Sequence, residues 1–207
     1  MQLDDAVRLI AEKVADLPRK AAQRNLIAVA GPPASGKSTL AEVLADRLPD
    51  AQLVPMDGFH LDNAVLDQRG LRHRKGAPET FDLGGLRHML TRLQTEPEVA
   101  YPKFDRALDR SIAGAGVVDE TSQTIVIEGN YLLLDAPGWR DLTRFWDFSA
   151  YLSVPDAVLH ERLMERWRTH GFSDTEAARK THDNDLPNAH RIRDNLLPAD
   201  LIVEEKG

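Results

Sequence analysis

The sequence predicts an α/β fold, a parallel sheet covered by helices on both faces, and three observations carry that prediction. Short, wholly apolar runs recur along the chain, segments with helical spacing lie between them, and the first run ends in a glycine-containing turn. In residues 3–17, Leu3, Val7, Ile10, Val14 and Leu17 are spaced by four and three residues, the stripe of an amphipathic helix packed on a core. Leu26–Ala30, LIAVA, reads as a buried strand stopped by Gly31-Pro32-Pro33. A helix over 38–48 follows, with Leu40, Val43, Leu44 and Leu48 on its inner side and Pro49-Asp50 closing it. Further buried strands are predicted at 52–56, 124–128, 148–154 and 201–204. Residues 58–123 interrupt the alternation with a basic run, RGLRHRKG, a helical pattern over 82–94 and a glycine-rich stretch, SIAGAG. A connection of this length reads as an insertion that shapes a site.

A chain of 207 residues fits one domain, residues 1–207. Its 42% hydrophobic and 29% charged residues exclude a disordered or fibrous chain. With 26 Lys plus Arg against 33 Asp plus Glu, the net charge of −7 lacks the footprint of a general nucleic-acid binder. No apolar run approaches the roughly 18 residues that span a bilayer. The opening MQLDDAVRLI carries two acids where a signal peptide needs basic residues, so a cytoplasmic protein without membrane insertion is expected. With no cysteine, thiolate metal sites and disulfides are excluded.

Gly31-Pro-Pro-Ala34-Ser35-Gly36-Lys37-Ser38 matches G-x-x-x-x-G-K-[ST] in full, with a strand before it and a helix after it. Successive backbone N–H groups and the positive end of the helix dipole then face phosphate, and the glycines permit close approach. Lys37 would reach the β and γ phosphates, Ser38 would ligate Mg²⁺ and Thr39 would meet the α phosphate of a bound ATP. Two acids follow strands, Asp57 in VPMDGFH and Glu128 in TIVIEGN. In a parallel sheet both carboxylates should border the crevice at the strand C-termini, although either alone could be a turn residue.

These segments resemble the phosphoribulokinase, uridine kinase and type I pantothenate kinase family of P-loop small-molecule kinases. The resemblance runs in order through GPPASGKST, MDGFH, RKGAPETFD, YPKFDR, IEGNYLL and HERLMERWRTHG, and within the family it is strongest to a bacterial subgroup labelled fructose transport system kinase. It implies a five-stranded parallel sheet with the phosphate-loop strand at its centre, a helical lid over 160–185, and transfer of the γ-phosphoryl group of ATP to a hydroxyl of a small metabolite. A sugar such as fructose leads, and pantothenate- or nucleoside-type acceptors remain as alternatives. His170 stands where uridine kinases carry a further arginine, which weighs against a nucleoside.

Carried onto matching positions, Asp57 would accept the acceptor hydroxyl's proton and Glu128 would stand on the metal side, with an exchange of the two roles open. Through a loose transition state, positioning the hydroxyl matters more than base strength. Arg162 and Arg166, four apart on a helix buried through Leu159, Leu163 and Trp167, match the lid arginines that neutralise the transferring group. The competing reading has Glu161 and Glu165 balancing them on a solvated face. Substrate contacts are expected from His60, Arg74, Lys75, Asp82, Tyr101, Phe104, Asp105 and Arg106, and a contact to the nucleotide base from Asn188. The basic run around Arg74 and Lys75 reads equally well as a solvated loop. A homodimer stays open. A GTPase-like switch would need N-K-x-D, which is missing, and a nucleic-acid motor would need positive charge. A regulator that binds nucleotide without turnover is the reading from another class.

Overall fold

The structure is a computed structural model and describes residues 1–18 and 23–205. A five-stranded sheet is built from β1 (Asn25–Ala30), β2 (Ala51–Pro55), β5 (Thr124–Gly129), β6 (Phe148–Ser153) and β7 (Leu201–Glu204). Its order is β2-β5-β1-β6-β7, every pair parallel, so the strand that feeds the phosphate loop lies at the centre. The strand expectations hold to within two residues at each end; β1 is buried along its whole length and leaves an apolar run, whereas β2 and β7, at the sheet edges, are only partly buried.

The period-two alternation of the strands divides the core into two. Leu26, Ala28 and Ala30 of β1 and Ile125 and Ile127 of β5 face one side. There they meet Leu86, Met89, Leu90 and Leu93 of α4 (Leu83–Thr95), together with Tyr131 and Trp139. Ile27, Val29 and Val126 face the other side, against α1 (Leu3–Ala15) and α2 (Lys37–Arg47). Ala6, Val7, Ile10 and Val14 form the buried stripe of α1, as their spacing predicts.

Residues 58–123 hold more regular structure than their sequence discloses. A short helix, α3 (Asn63–Gln68), is capped by Asp62, whose carboxylate accepts from the Ala64 N–H. The glycine-rich stretch is a strand: β3 (Val99–Asp105) and β4 (Arg110–Val118) form an antiparallel hairpin with an irregularity between Tyr101 and Lys103, where Pro102 has no N–H to pair. A Cβ at Gly116 would lie 2.3 Å from Cζ of Tyr101, so the residue that weakens the strand signal makes room for that ring. Arg24 anchors this assembly to the sheet. Its buried guanidinium donates to the carbonyls of Ser122, Leu93, Glu96, Pro97 and Asp119, closing the C-terminal end of α4 and the base of the hairpin with one side chain.

After β6 come α5 (Asp156–Thr169), α6 (Asp174–Lys180), one π-helical turn (Thr181–Asp185) and α7 (Leu186–Asp194). Leu159, Leu163 and Ala189 join α5 to α7 as a small third core, against which Ala34 of the phosphate loop packs. Among the described residues no helix is long and apolar enough to cross a membrane.

Candidate active site

The loop from Gly31 to Ser38 leaves the central strand and turns into α2 at Gly36, whose φ of 85° lies in the left-handed region that glycine adopts without strain. Lys37 opens the helix. Burial pushes its amine down, while the carboxylates of Glu128 and Asp57 push it back up. Glu128 stands near the end of β5, directly beside β1, and is 5% exposed. Burial pushes its carboxyl up against the pull of Lys37 and of the Ser38 hydroxyl. One of its oxygens, Oε2, is buried with no protein partner. A buried carboxylate oxygen left unpaired beside a serine hydroxyl is a donor set suited to a hard cation such as Mg²⁺.

Asp57 lies on a single 3-10 turn, Met56–Phe59, directly after β2. The hairpin closes over this turn: a Cβ on Gly58 would come within 2.0 Å of the Pro102 carbonyl, so only glycine lets the two segments meet. Arg106, just past β3, reaches back to Asp57, Nη2 to Oδ2 at 3.2 Å. His60 sits between the rings of Phe81 and Phe104, at centroid distances of 4.0 and 4.7 Å. Its Nδ1 is 2.8 Å from the Asp57 carbonyl, which can only accept, so Nδ1 carries the proton. Burial pushes its pKa down and favours the neutral ring. Lys37, Glu128, Asp57, Arg106 and His60 therefore gather where the C-terminal ends of β1, β2 and β5 meet the hairpin.

The remaining expected residues divide into those near this crevice and those engaged elsewhere. Lys75 passes over the Phe104 ring at 5.1 Å and gives its protons to Asn63 Oδ1, Asp109 Oδ1 and the Asp109 carbonyl, each at 2.7 Å. The lysine thus ties the basic run to the hairpin tip instead of offering its charge to a ligand. Asp82 caps α4 by accepting from the Gly85 N–H, and Asp105 accepts from the Leu108 N–H in the hairpin turn. Tyr101 is buried in the core, its hydroxyl donating to the Leu53 carbonyl. Arg74 pairs with Glu79 at 3.6 Å and reaches Asn188 Oδ1 at 3.4 Å. Asn188 itself is 2% exposed and donates to Asn184, so it locks α7 to the Arg74 loop.

The two arginines of α5 part company. Arg162 makes a two-pronged pair with Glu205, at 2.6 and 2.9 Å. Arg166, one turn on, is half-buried and acts electrostatically on both Lys37 and Asp185. The solvated-face reading fits Arg168 instead, which pairs with Asp174 and Glu165. The Arg162–Glu205 pair borders a cavity of about 360 Å³ on the outer side of the phosphate loop, lined also by Gly36, Thr39, Leu152 and Val154. Glu205 escaped the sequence reading, although it follows the last strand just as Asp57 follows the second; the rule that found one applies equally to the other.

No protein-family model matches the chain. Among curated relatives, a protein provisionally named uridine kinase from Schizosaccharomyces pombe is 34% identical over 198 residues, covering 88% of this chain and 84% of its own. A pantothenate kinase from Chelativorans sp. is 30% identical over 214 residues, covering 87% and 67%. The chain belongs to the phosphoribulokinase, uridine kinase and pantothenate kinase family of P-loop kinases. A crystal structure provisionally named fructose transport system kinase, from Silicibacter sp. TM1040, superimposes with a TM-score of 0.92 at 48% identity over 98% of this chain and 99% of that one. Family membership accounts for the five-stranded parallel sheet with the phosphate-loop strand at its centre. It leaves the acceptor open, since relatives named for different acceptors match along nearly the same length.

Proposed function

We propose that this P-loop kinase transfers the γ-phosphoryl group of ATP to a hydroxyl of a small metabolite, with a sugar such as fructose as the leading acceptor. The observation that carries the reading is the convergence of Lys37, Glu128 and Asp57 at the end of the central strands, with Asp57 on the side where the hairpin closes. The cavity behind Gly36 and Thr39 would take the nucleotide base, leaving the phosphates along the loop and the γ group pointed at Asp57. Lys37 then neutralises phosphate charge, Asp57 orients the acceptor hydroxyl and takes its proton as the new O–P bond forms, and Arg166 meets charge on the transferring group. Ser38 and Glu128 would hold Mg²⁺, which when bound offsets charge between the β and γ phosphates. The segment 58–123 forms the acceptor wall in this reading, and 160–185 the lid.

Fructose leads because the 48%-identical structure carries that name. Neutral His60 adds support, since an unprotonated Nε2 accepts from a hydroxyl and offers nothing to a carboxylate. An assay coupled to ADP release, run across sugars, polyols, pantothenate and nucleosides with Lys37→Ala as control, tests the reading. Acceptor-dependent ADP release that vanishes in the control is the expected result. Nucleotide binding with no turnover on any acceptor would leave the regulator reading in its place.

A further inference from the structure

The chain between α6 and α7 departs from α-helical geometry for the five residues Thr181–Asp185. A single π turn between α-helical segments is rare and is frequently found at functional sites. Here two unfavourable features accompany it. Thr181 is fully buried and its hydroxyl has no partner, and Asp185, an acid, is 8% exposed. The turn points Asp185 back at α5, where Oδ2 accepts from the Trp167 indole Nε1–H at 2.6 Å. The Trp167 ring is further clamped by the Lys180 ammonium at 4.4 Å from its centroid and by the edge of Phe172 at 5.4 Å. Lys180 lies 4.6 Å from the Phe172 centroid as well, so one cation spans both rings. Arg166, the residue before Trp167, rests its guanidinium 5.6 Å from the same indole. Burial pushes the Asp185 carboxyl up, while Trp167, Arg166 and Lys180 draw it down.

A clamp on one ring of a helix fixes that helix's rotation about its own axis, and hence the direction of the residue beside it. We propose that Asp185 is a positioning residue for phosphoryl transfer, acting through the Trp167 indole to hold Arg166 toward Lys37 and the phosphate loop. The proposal rests on the kinase reading above for the identity of the transferred group. A bare structural tie would stabilise the lid without any dependence on Arg166. A positioning tie has an effect that disappears once Arg166 is gone.

The test is a double-mutant cycle on the full chain with Asp185→Asn, Arg166→Ala and the pair, reading kcat, KM for ATP and the ratio of ATP to ADP affinity by calorimetry. Asp185→Asn keeps an oxygen for the indole but removes the charge, which turns a charge-assisted hydrogen bond into a neutral one of about half the strength. It should lower kcat about tenfold with little change in KM, and cost under about twofold more in the Arg166→Ala background. Trp167→Phe, which keeps a ring for Lys180 and removes the N–H, should reproduce the loss and its dependence on Arg166, and it carries the test if Asp185→Asn folds poorly. An equal loss with and without Arg166, or a lowered melting temperature with kcat intact, overturns the proposal. Should the protein bind ATP yet phosphorylate nothing, the kinase reading falls alone. The affinity ratio, which Arg166 raises through the γ phosphate, then decides the role of Asp185 by the same coupling.

Discussion

Burial pushes the Lys37 amine down and the Glu128 carboxyl up, while each draws the other back toward its charged form. Asp57 lies outside that buried pair, against Arg106 and the hairpin, and the two acids should therefore fail differently. Asp57→Asn should lower turnover by about two to four orders of magnitude with Mg·ATP affinity nearly unchanged. Glu128→Gln should shift the dependence on Mg²⁺ and be partly rescued by excess metal. Titrating Mg²⁺ against activity in both variants decides the assignment, and rescue of Asp57→Asn by metal exchanges the roles. His60 supplies a pH signature. Its folded pKa is depressed, so its contribution to stability is present above the unfolded value of about 6.5 and is lost as pH falls toward the folded one. His60→Asn, which keeps a donor for the Asp57 carbonyl, should lose less melting temperature than wild type between about pH 7.5 and 5.5. An equal loss in both proteins would place the acid sensitivity elsewhere. At this scale the sequence disclosed Lys37, Asp57 and Glu128 because a motif or a strand end marks each. Lys75, Asp82 and Asn188 looked similar on paper, and their engagement with Asp109, Gly85 and Arg74 depends on contacts distant in the chain or on cap geometry that residue type alone does not specify.

Among the elements, the central strands of the parallel sheet were legible because burial on both faces gives each a short apolar run, LIAVA in NLIAVA and IVI in TIVIEG. The β3–β4 hairpin was not. Its outer strand exposes Ile112, Ala113, Gly114 and Ala115, so neither a continuous apolar run nor an alternation marks it. What holds the hairpin's base to the sheet is Arg24, and the five carbonyls it serves include those at the end of α4. Replacing it with methionine fills much of the same volume and leaves all five without that donor, so urea unfolding should show a loss of about 3 kcal/mol. Arg24→Lys should recover only part of this, because one ammonium cannot reproduce the planar fork. Stability equal to wild type in Arg24→Met would mean that water satisfies those carbonyls as well as the arginine does.

Across the whole molecule, the phosphate loop and Asp57 are backed by different sides of one sheet, α1 and α2 behind the loop and α4 with the hairpin behind Asp57. α7 is tied to the main core through Ile192, whereas residues 156–185 meet the rest of the molecule through small contacts, among them Leu159 and Leu163 at Ala34, the Arg162–Glu205 pair and the Asn184 bond to the Lys75 carbonyl. Such an element sits at the low-stability end of a protein. Hydrogen exchange over 160–185 should therefore slow when a non-hydrolysable ATP analogue binds, while β1 and β5 change little. Unchanged protection in that segment would remove the lid from the account. The fold's other large-scale property is that residues 58–123, hairpin, α3, α4 and Asp57's neighbours included, form one crossover between β2 and β5, which are hydrogen-bonded neighbours. Two splice points, one after the glycine that admits Pro102 and one before Thr124, would therefore exchange the whole inserted segment as a cassette, provided Arg24 still finds its five carbonyls. Chemistry that resides in the loop and the strand ends can in this way be inherited unchanged by enzymes that phosphorylate unrelated alcohols.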